Sequence, residues 1–533
     1  MPALDLRGGL LAALLAVAAV VLVAPGAALS PATMVIGGGQ GDFASIAWGL
    51  WEVARAFPAW PGVRFPDVMF PVGADLMLAD LPESYLVAPV TLLFGPVVAY
   101  NLLQLLHPAL ASFTAFLLAR DEGVERPAAL VSGLAFGFCG VMLSSVHNGN
   151  PDVSPLYLIP LGALFSRRCA QSGLWAIAAG VLLGLSPWCN PYVAVMTGLA
   201  MLLYAPRPRS GVELMRMIGA AALAAGLAFL FVHLVEDTIN GPAAMVRKRT
   251  PRPIHAGSAW LRGFLLPEWD HTPDAWTVHS FYVGLSVWLM AGFGLWRARS
   301  AGARAAILVG LGLILGLGRT FRWGVGDFTI GAYSLYLPAE WFDHIQGLDA
   351  LGIRYRFGAL AALGASLLAG RALAGLAGPG RTGLIIVVVL ADLLIAGGGA
   401  RLLQAGPRKD DGSCEVLAPL ESGAVMDLPA LVDEQWMLMQ TCHGRPIGQA
   451  INRGYPGGVA QVLARPAMRS LQGLKAEGFR YVVLHGSHSE EAEELDRIAR
   501  LTEAAQGVGA IVATGGDRVV VIDLSRLPPD VRP

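Results

Sequence analysis

The chain has 533 residues, 55% of them hydrophobic and only 14% charged, with a formal net charge of −1. A soluble domain carries roughly 25% charged residues, so this composition describes a membrane protein. The basic residues are scattered, which excludes the basic stripe of a nucleic-acid binder.

The first apolar run, LRGGLLAALLAVAAVVLVAPGAALS, ends in small residues, as a signal peptide does. Apolar runs continue far beyond it, which favours reading it as the first of many spans. A crossing helix needs about 20 mostly apolar residues, and about eleven segments reach or approach that length. They cover residues 8–30, 98–119, 128–146, 153–166, 173–188, 191–205, 217–235, 281–296, 305–319, 357–373 and 382–399.

Short cytoplasmic loops concentrate Lys and Arg. With Arg7 inside, every second connection is basic: Arg120 and Arg126, then Arg167 and Arg168, then Arg207, Arg209 and Arg216, then Arg297, Arg299 and Arg304, then Arg371 and Arg381. The outer links HNGNPDVS and WCN hold no Lys or Arg. The expected fold is mainly α: a polytopic membrane domain over residues 1–400 with about eleven transmembrane helices, N-terminus inside and C-terminus outside.

Outside the membrane this arrangement leaves residues 31–97, 236–280, 320–356 and a tail from 401 to 533. In DFASIAWGLWEVARAF, the residues Ile46, Leu50, Val53, Ala54 and Phe57 recur at helical spacing. That pattern predicts an amphipathic helix lying at the interface, with Trp48, Trp51 and Trp60 at headgroup level. The run YLVAPVTLLFGPVVAY is apolar but interrupted by Pro89 and Pro96, and reads as an element dipping into the bilayer.

The tail differs in kind. FRYVVLHG and DRVVVIDL read as buried strands and EEAEELDRIARLTEAA as a solvated helix, with a further strand and helix in GAVMDLPALVDEQWMLMQTCHGRPI. A small extracytoplasmic α/β domain follows. It holds Cys414 and Cys442, which an oxidising compartment could join in a disulfide contributing roughly 3 kcal/mol; two free thiols are the alternative.

No H-E-x-x-H, C-x-x-C, G-x-S-x-G or Walker motif is present, which removes the familiar metalloprotease, redox, hydrolase and P-loop chemistries. GGGQG follows a span and not a buried strand, so it is not a dinucleotide loop. What remains is an acidic residue, Asp42, just beyond the first span, basic outer loops, and an outer C-terminal domain.

That arrangement, with GDFASIAWGLW, FPVGADL, LFGPVVAYNLL, IRYRFG, MQTCHGRPI and LKAEGFRYVVLH in order along the chain, resembles the GT-C superfamily of polytopic membrane glycosyltransferases. The resemblance implies a sugar donor linked to polyprenyl phosphate and an acceptor hydroxyl on an envelope glycan, lipid or protein. It also implies transfer on the extracytoplasmic face of a bacterial inner membrane. The family's catalytic carboxylate on the first outer loop falls on Asp42, where it would act as general base, partly shielded from water. Read from the residues alone, Asp42 is equally an N-cap, worth roughly 1 kcal/mol. Phe43 stands where many family members have a second acid, which argues against a two-carboxylate centre.

For the leaving phosphate, the resemblance points to Arg356 and Arg354 before the tenth span; arginine can bind two phosphate oxygens. Their alternative is snorkelling to headgroups. Arg247, Lys248, Arg249 and Arg252 form a basic outer cluster that would close over the carrier phosphate or simply face solvent. His147 and Asn150, with Asn148 and Asp152, would contact sugar or acceptor, or form a turn. Among the acids of the first loop, Asp75 leads Asp67, Asp80 and Glu83 as an acceptor contact or a ligand for a divalent metal, a cofactor that no motif demands. Asp392, inside the last apolar run, is the main support for a rival class, a transporter or flippase. A non-catalytic GT-C-like protein is the third reading.

Overall fold

The computed structural model describes all residues except 1–3, 40, 61, 63, 77–79, 241–256, 268–279, 325–328, 331–332, 346–350, 376–377, 409–411, 430–432, 451–456, 487–491, 517 and 529–533. The chain divides into two compact units: Met1–Phe43, Ala79–Leu234 and Lys248–Pro407 form the first, and Ala44–Leu78, Val235–Arg247 and Arg408–Pro533 the second.

A helix lies in every predicted apolar segment. In chain order the helices are α1 (Leu6–Val23), α2 (Phe43–Ala56), α3 (Leu81–Phe94), α4 (Pro96–Asp121), α5 (Arg126–Gly137), α6 (Gly140–His147), α7 (Leu158–Arg168), α8 (Gly173–Cys189), α9 (Pro191–Tyr204), α10 (Gly211–Asn240), α11 (Leu285–Ala298), α12 (Ala303–Gly316), α13 (Gly358–Leu373) and α14 (Pro379–Ala391). Among the described residues, 4 helices are long and apolar enough to cross a membrane by themselves, or 5 if the bent pair α5 and α6 is one span. Several others stop short. The run read as a dipping element is α3, which carries Pro89 within it, and Pro96 opens α4 at its first turn, where a missing N–H costs nothing.

At the centre of the first unit lies α13, buried along nearly its whole length. Small residues allow its neighbours to approach. A methyl group at Gly312 would come within 2.1 Å of the Ala361 nitrogen, and one at Gly370 within 2.1 Å of Ser132 Oγ. Without water to drive association, such close backbone contact is what holds membrane helices together.

One end of this unit is tied by ion pairs among the predicted inner connections. Asp5 accepts from Arg126 (2.8 Å) and Arg120 (3.3 Å), Asp121 is ion-paired with Arg167 (2.6 Å) and accepts from Arg168 (2.5 Å), and Glu122 accepts from Arg371 (3.0 Å). Arg216 donates to the Ala170 carbonyl and Arg304 lies over the Tyr204 ring. The alternate basic loops therefore share one layer. Asn101 and Arg120 sit near opposite ends of α4, roughly 28 Å apart at 1.5 Å per residue, close to the thickness of a hydrocarbon core.

Asp392 opens a π-helical turn, Asp392–Ala396. Its carboxylate accepts from Tyr282 Oη (2.6 Å), Ser286 N (2.7 Å) and Ser286 Oγ (2.6 Å). Ser286 is in the first turn of α11, so Asp392 satisfies an otherwise orphaned helix N–H from a neighbouring element. That local task accounts for an intramembrane carboxylate without a transport pathway.

The second unit is an α/β domain. Strands β1 (Ala424–Leu428), β2 (Phe479–His485), β3 (Ile511–Gly515) and β4 (Val519–Asp523) form one sheet in the order β1-β2-β4-β3. The pair β1 and β2 is parallel and the others antiparallel. Helices α15 (Asp433–His443), α16 (Ala467–Ala476) and α17 (Ala492–Gly507) accompany the sheet. The sequence pattern predicts β1, β2, β4, α15 and α17; β3 is only half-buried, which weakens its pattern. Cys414 and Cys442 are joined by a disulfide, with Cα atoms 6.0 Å apart.

Residues 44–78 belong to this unit and not with the membrane helices. Trp48 is 2% exposed; its Nε1 donates to Gln440 Oε1 (2.7 Å) and its ring meets Phe65 edge-on. Phe70 N donates to the Ile447 carbonyl and Ile447 N to that of Asp67, which extends the pairing beside β1. The expectation of an interfacial helix with Trp48 at headgroup level is thus corrected. The apolar face of α2 is covered by protein, and helical periodicity cannot tell lipid from a protein core.

Candidate active site

The loop before α2 is shaped by glycine. Ile36–Gly39 forms a 3-10 turn in which Gly37 has φ 80°, and Gly41 follows with φ 56°. Both sit against backbone, since a Cβ at Gly37 would lie 2.4 Å from the Val146 oxygen and one at Gly41 2.1 Å from the Asn148 oxygen. Only glycine fits positions that need both a left-handed φ and this approach. Asn101 at the start of α4 fixes the loop from below, accepting from Ile36 N (2.9 Å) and donating to the carbonyls of Pro31 (2.9 Å) and Met34 (2.7 Å).

Asp42 therefore meets the loop after α6. Its N–H donates to the Asn148 carbonyl (3.1 Å). Asn150, with its amide set to satisfy its neighbours, donates from Nδ2 to Asp42 Oδ2 (2.5 Å) and to the Asn148 carbonyl (3.1 Å). Asn148 and Asn150 are buried, whereas Asp42 is exposed, contrary to the expectation of a shielded carboxylate. Asp42 immediately precedes α2, so it occupies the N-cap position as well. Phe43 is buried against Tyr100, ring centroids 4.8 Å apart, and anchors the loop where a second acid was missing. His147 ends α6 beside this junction.

Arg354 and Arg356 lie in a 3-10 turn, Arg354–Phe357, that runs straight into α13. They are 2% and 9% exposed, and their guanidinium groups stand 5.1 Å from the Phe342 ring and 4.8 Å from the Tyr192 ring. Tyr192 Oη accepts from Ile353 N (2.6 Å), holding the turn against α9. Neither arginine snorkels. Burying a guanidinium is costly unless it meets an aromatic face or an anion, so this turn concentrates positive charge inside the unit. Arg322, 5% exposed and 5.6 Å from the Trp260 ring, is a further buried arginine that sequence analysis missed; its only signal was its position just after an apolar run.

Helix α6 connects the two features. A methyl at Gly358, beside the arginine turn, would lie 3.5 Å from Val141 Cγ2, while the last residue of α6 adjoins the Asp42 junction. Val141 and His147 are separated by roughly 9 Å of helical rise. Gly140 N donates to the Tyr282 carbonyl (2.8 Å) where α5 and α6 bend by 40°, and the bend aims the C-terminus of α6 at the Asp42 loop.

The remaining candidates fall elsewhere. Asp75 is in the second unit, ion-paired with Arg64 (3.2 Å) across a two-strand pairing, and Asp67 faces Arg55 (3.8 Å). These partners give both acids a structural task. Arg247, Lys248, Arg249 and Arg252 lie outside the described residues. Asp80 and Glu83 gather with His107 in the first unit.

No family model matches the chain, and no curated protein matches its sequence. Solved structures do. The arabinofuranosyltransferase AftD from Mycobacteria superposes with a TM-score of 0.62 at 16% identity over 98% of this chain, which spans 42% of that one. ArnT from Cupriavidus metallidurans, solved bound to undecaprenyl phosphate, gives 0.50 at 12% identity, covering 98% of this chain and 99% of that one. The chain has the fold of GT-C membrane glycosyltransferases.

Proposed function

We propose that this protein is a multi-pass membrane glycosyltransferase that moves a sugar from a polyprenyl-phosphate carrier to an acceptor hydroxyl on the extracytoplasmic face. The observation that carries this reading is the exposed Asp42 carboxylate, oriented by Asn150 at one end of α6, with buried arginines beside the other. The sugar donor class comes from the fold likeness, ArnT having been solved with undecaprenyl phosphate.

In the reaction, Asp42 takes the proton of the acceptor hydroxyl as its oxygen bonds to the anomeric carbon. The bond from that carbon to the phosphate oxygen breaks, and the electron pair leaves with the carrier phosphate. A single displacement inverts the anomeric centre. Arg356, with Arg354, compensates the charge gathering on the departing phosphate, and no acid is needed to protonate so good a leaving group. Asn150 donates to the ionised form of Asp42 and fixes its direction; His147 is the neighbouring candidate for a contact to sugar or acceptor.

Reconstituted protein given lipid-linked sugars tests this reading. Asp42→Asn should lower transfer by about 10²-fold or more while the protein keeps its fold. Wild-type transfer by that variant would remove Asp42 from the mechanism.

A further inference from the structure

Within the helical unit, three potential metal ligands converge. Asp80, Glu83 and His107 are 3%, 4% and 0% exposed, and one ligand atom from each lies within 4.8 Å of the others. His107 is six residues along α4 from Asn101, roughly 9 Å by helical rise. The cluster therefore sits inside the helical unit: Glu83 is on α3, His107 on α4, and Asp80 immediately precedes α3.

We propose that Asp80, Glu83 and His107 bind one divalent transition-metal ion, of the class of Zn²⁺ or Mn²⁺. The donor set is two carboxylate oxygens and one imidazole nitrogen, which suits these ions and not the all-oxygen preference of Mg²⁺ or Ca²⁺. Charge supports the same occupant. Two carboxylates and a neutral imidazole around a divalent ion leave no net charge.

The geometry needs only a small adjustment. His107 Nε2 and Glu83 Oε2 are 2.6 Å apart, and tetrahedral ligands at metal distances stand about 3.4 Å from one another. Rotating the Glu83 carboxylate opens that gap. Its other oxygen is already held by Tyr157 Oη at 2.7 Å, the kind of outer hydrogen bond that orients a metal-bound carboxylate. His107 Nδ1 has no hydrogen-bond partner among the described residues, so nothing opposes moving the ring proton there when Nε2 takes the metal. The ion would fasten the start of α3 to α4.

The test uses the full-length protein, stripped with chelator, loaded with Zn²⁺ and desalted. One equivalent should remain, and X-ray absorption should report one imidazole nitrogen with carboxylate oxygens. Tyr157→Phe, which removes no ligand, should weaken Zn²⁺ binding about 10- to 100-fold, and His107→Gln should abolish it. Retention of no metal, a sulfur shell in the absorption spectrum, or full retention by His107→Gln would overturn the site. If His107→Gln does not fold, the wild-type spectrum decides. Because the readout is bound metal, the result is independent of whether the protein transfers sugar.

Discussion

Asn150 donates a hydrogen bond of 2.5 Å to the carboxylate of Asp42. The two residues come from separate loops, and the contact is made because Gly37 and Gly41 let one backbone press against the other. A hydrogen bond to a charged group contributes about 1.5–3 kcal/mol. If Asp42 is the base, Asn150→Leu should reduce kcat about 10- to 100-fold, with KM for the donor little changed. The same variant should shift the acidic limb of the pH–rate profile upward, because the ionised carboxylate loses a donor. A uniform loss of folded protein with no pH shift would assign Asn150 a structural role instead.

Arg356 and Arg354 differ from surface cations in being buried. Lysine keeps the charge but not the planar fork that grips two phosphate oxygens. Arg356→Lys should therefore cost more in transfer rate than in donor binding, by about tenfold or more. Steady-state kinetics with a lipid-linked sugar check this, and equal values for variant and parent would move the phosphate contact elsewhere.

The disulfide closes a segment with a sequence separation of 28 residues. Loop-closure entropy for that length is worth about 3–4 kcal/mol. Paired Cys414→Ser and Cys442→Ser changes should destabilise the α/β domain by that order, read as a lower midpoint in urea, while the helices of the other unit keep their circular dichroism.

His443 supplies a pH test of the same domain. Burial, with repulsion from Arg445 and His485 and only partial relief from Asp427, pushes it down to about 4, below the ordinary 6.5 or so. The unfolded chain therefore binds a proton between those values that the folded domain refuses. Stability from this group is complete above pH 6.5 or so and falls by up to about 3 kcal/mol as pH drops to 4 or so. His443→Gln should flatten that slope in denaturant titrations; an unchanged slope would place its origin in another group.

Much of the helical unit was legible because long apolar runs and alternating arginines are strong local signals. Arg126, Arg168 and Arg371 of the predicted inner connections pair with Asp5, Asp121 and Glu122. Other features were not written locally. Trp48 has the pattern of an interfacial residue, and only the fold reveals that Gln440 and Phe65 cover it. A single histidine in an apolar run, His107, carries no periodic signal, and its meaning appears only when Glu83 is brought against it. Asp42 was prominent in the sequence, but its alignment by Asn150 depends on a chain crossing that no spacing rule encodes.

The central claim rests on Asp42. Purified protein in liposomes, supplied with a membrane extract of polyprenyl-phosphate-linked sugars and an envelope acceptor fraction, should form a glycosylated product visible by mass spectrometry. The Asp42→Asn variant should bind the lipid donor as the parent does and form product about 10²- to 10⁴-fold more slowly. Product formed at the parental rate by Asp42→Asn would contradict the account.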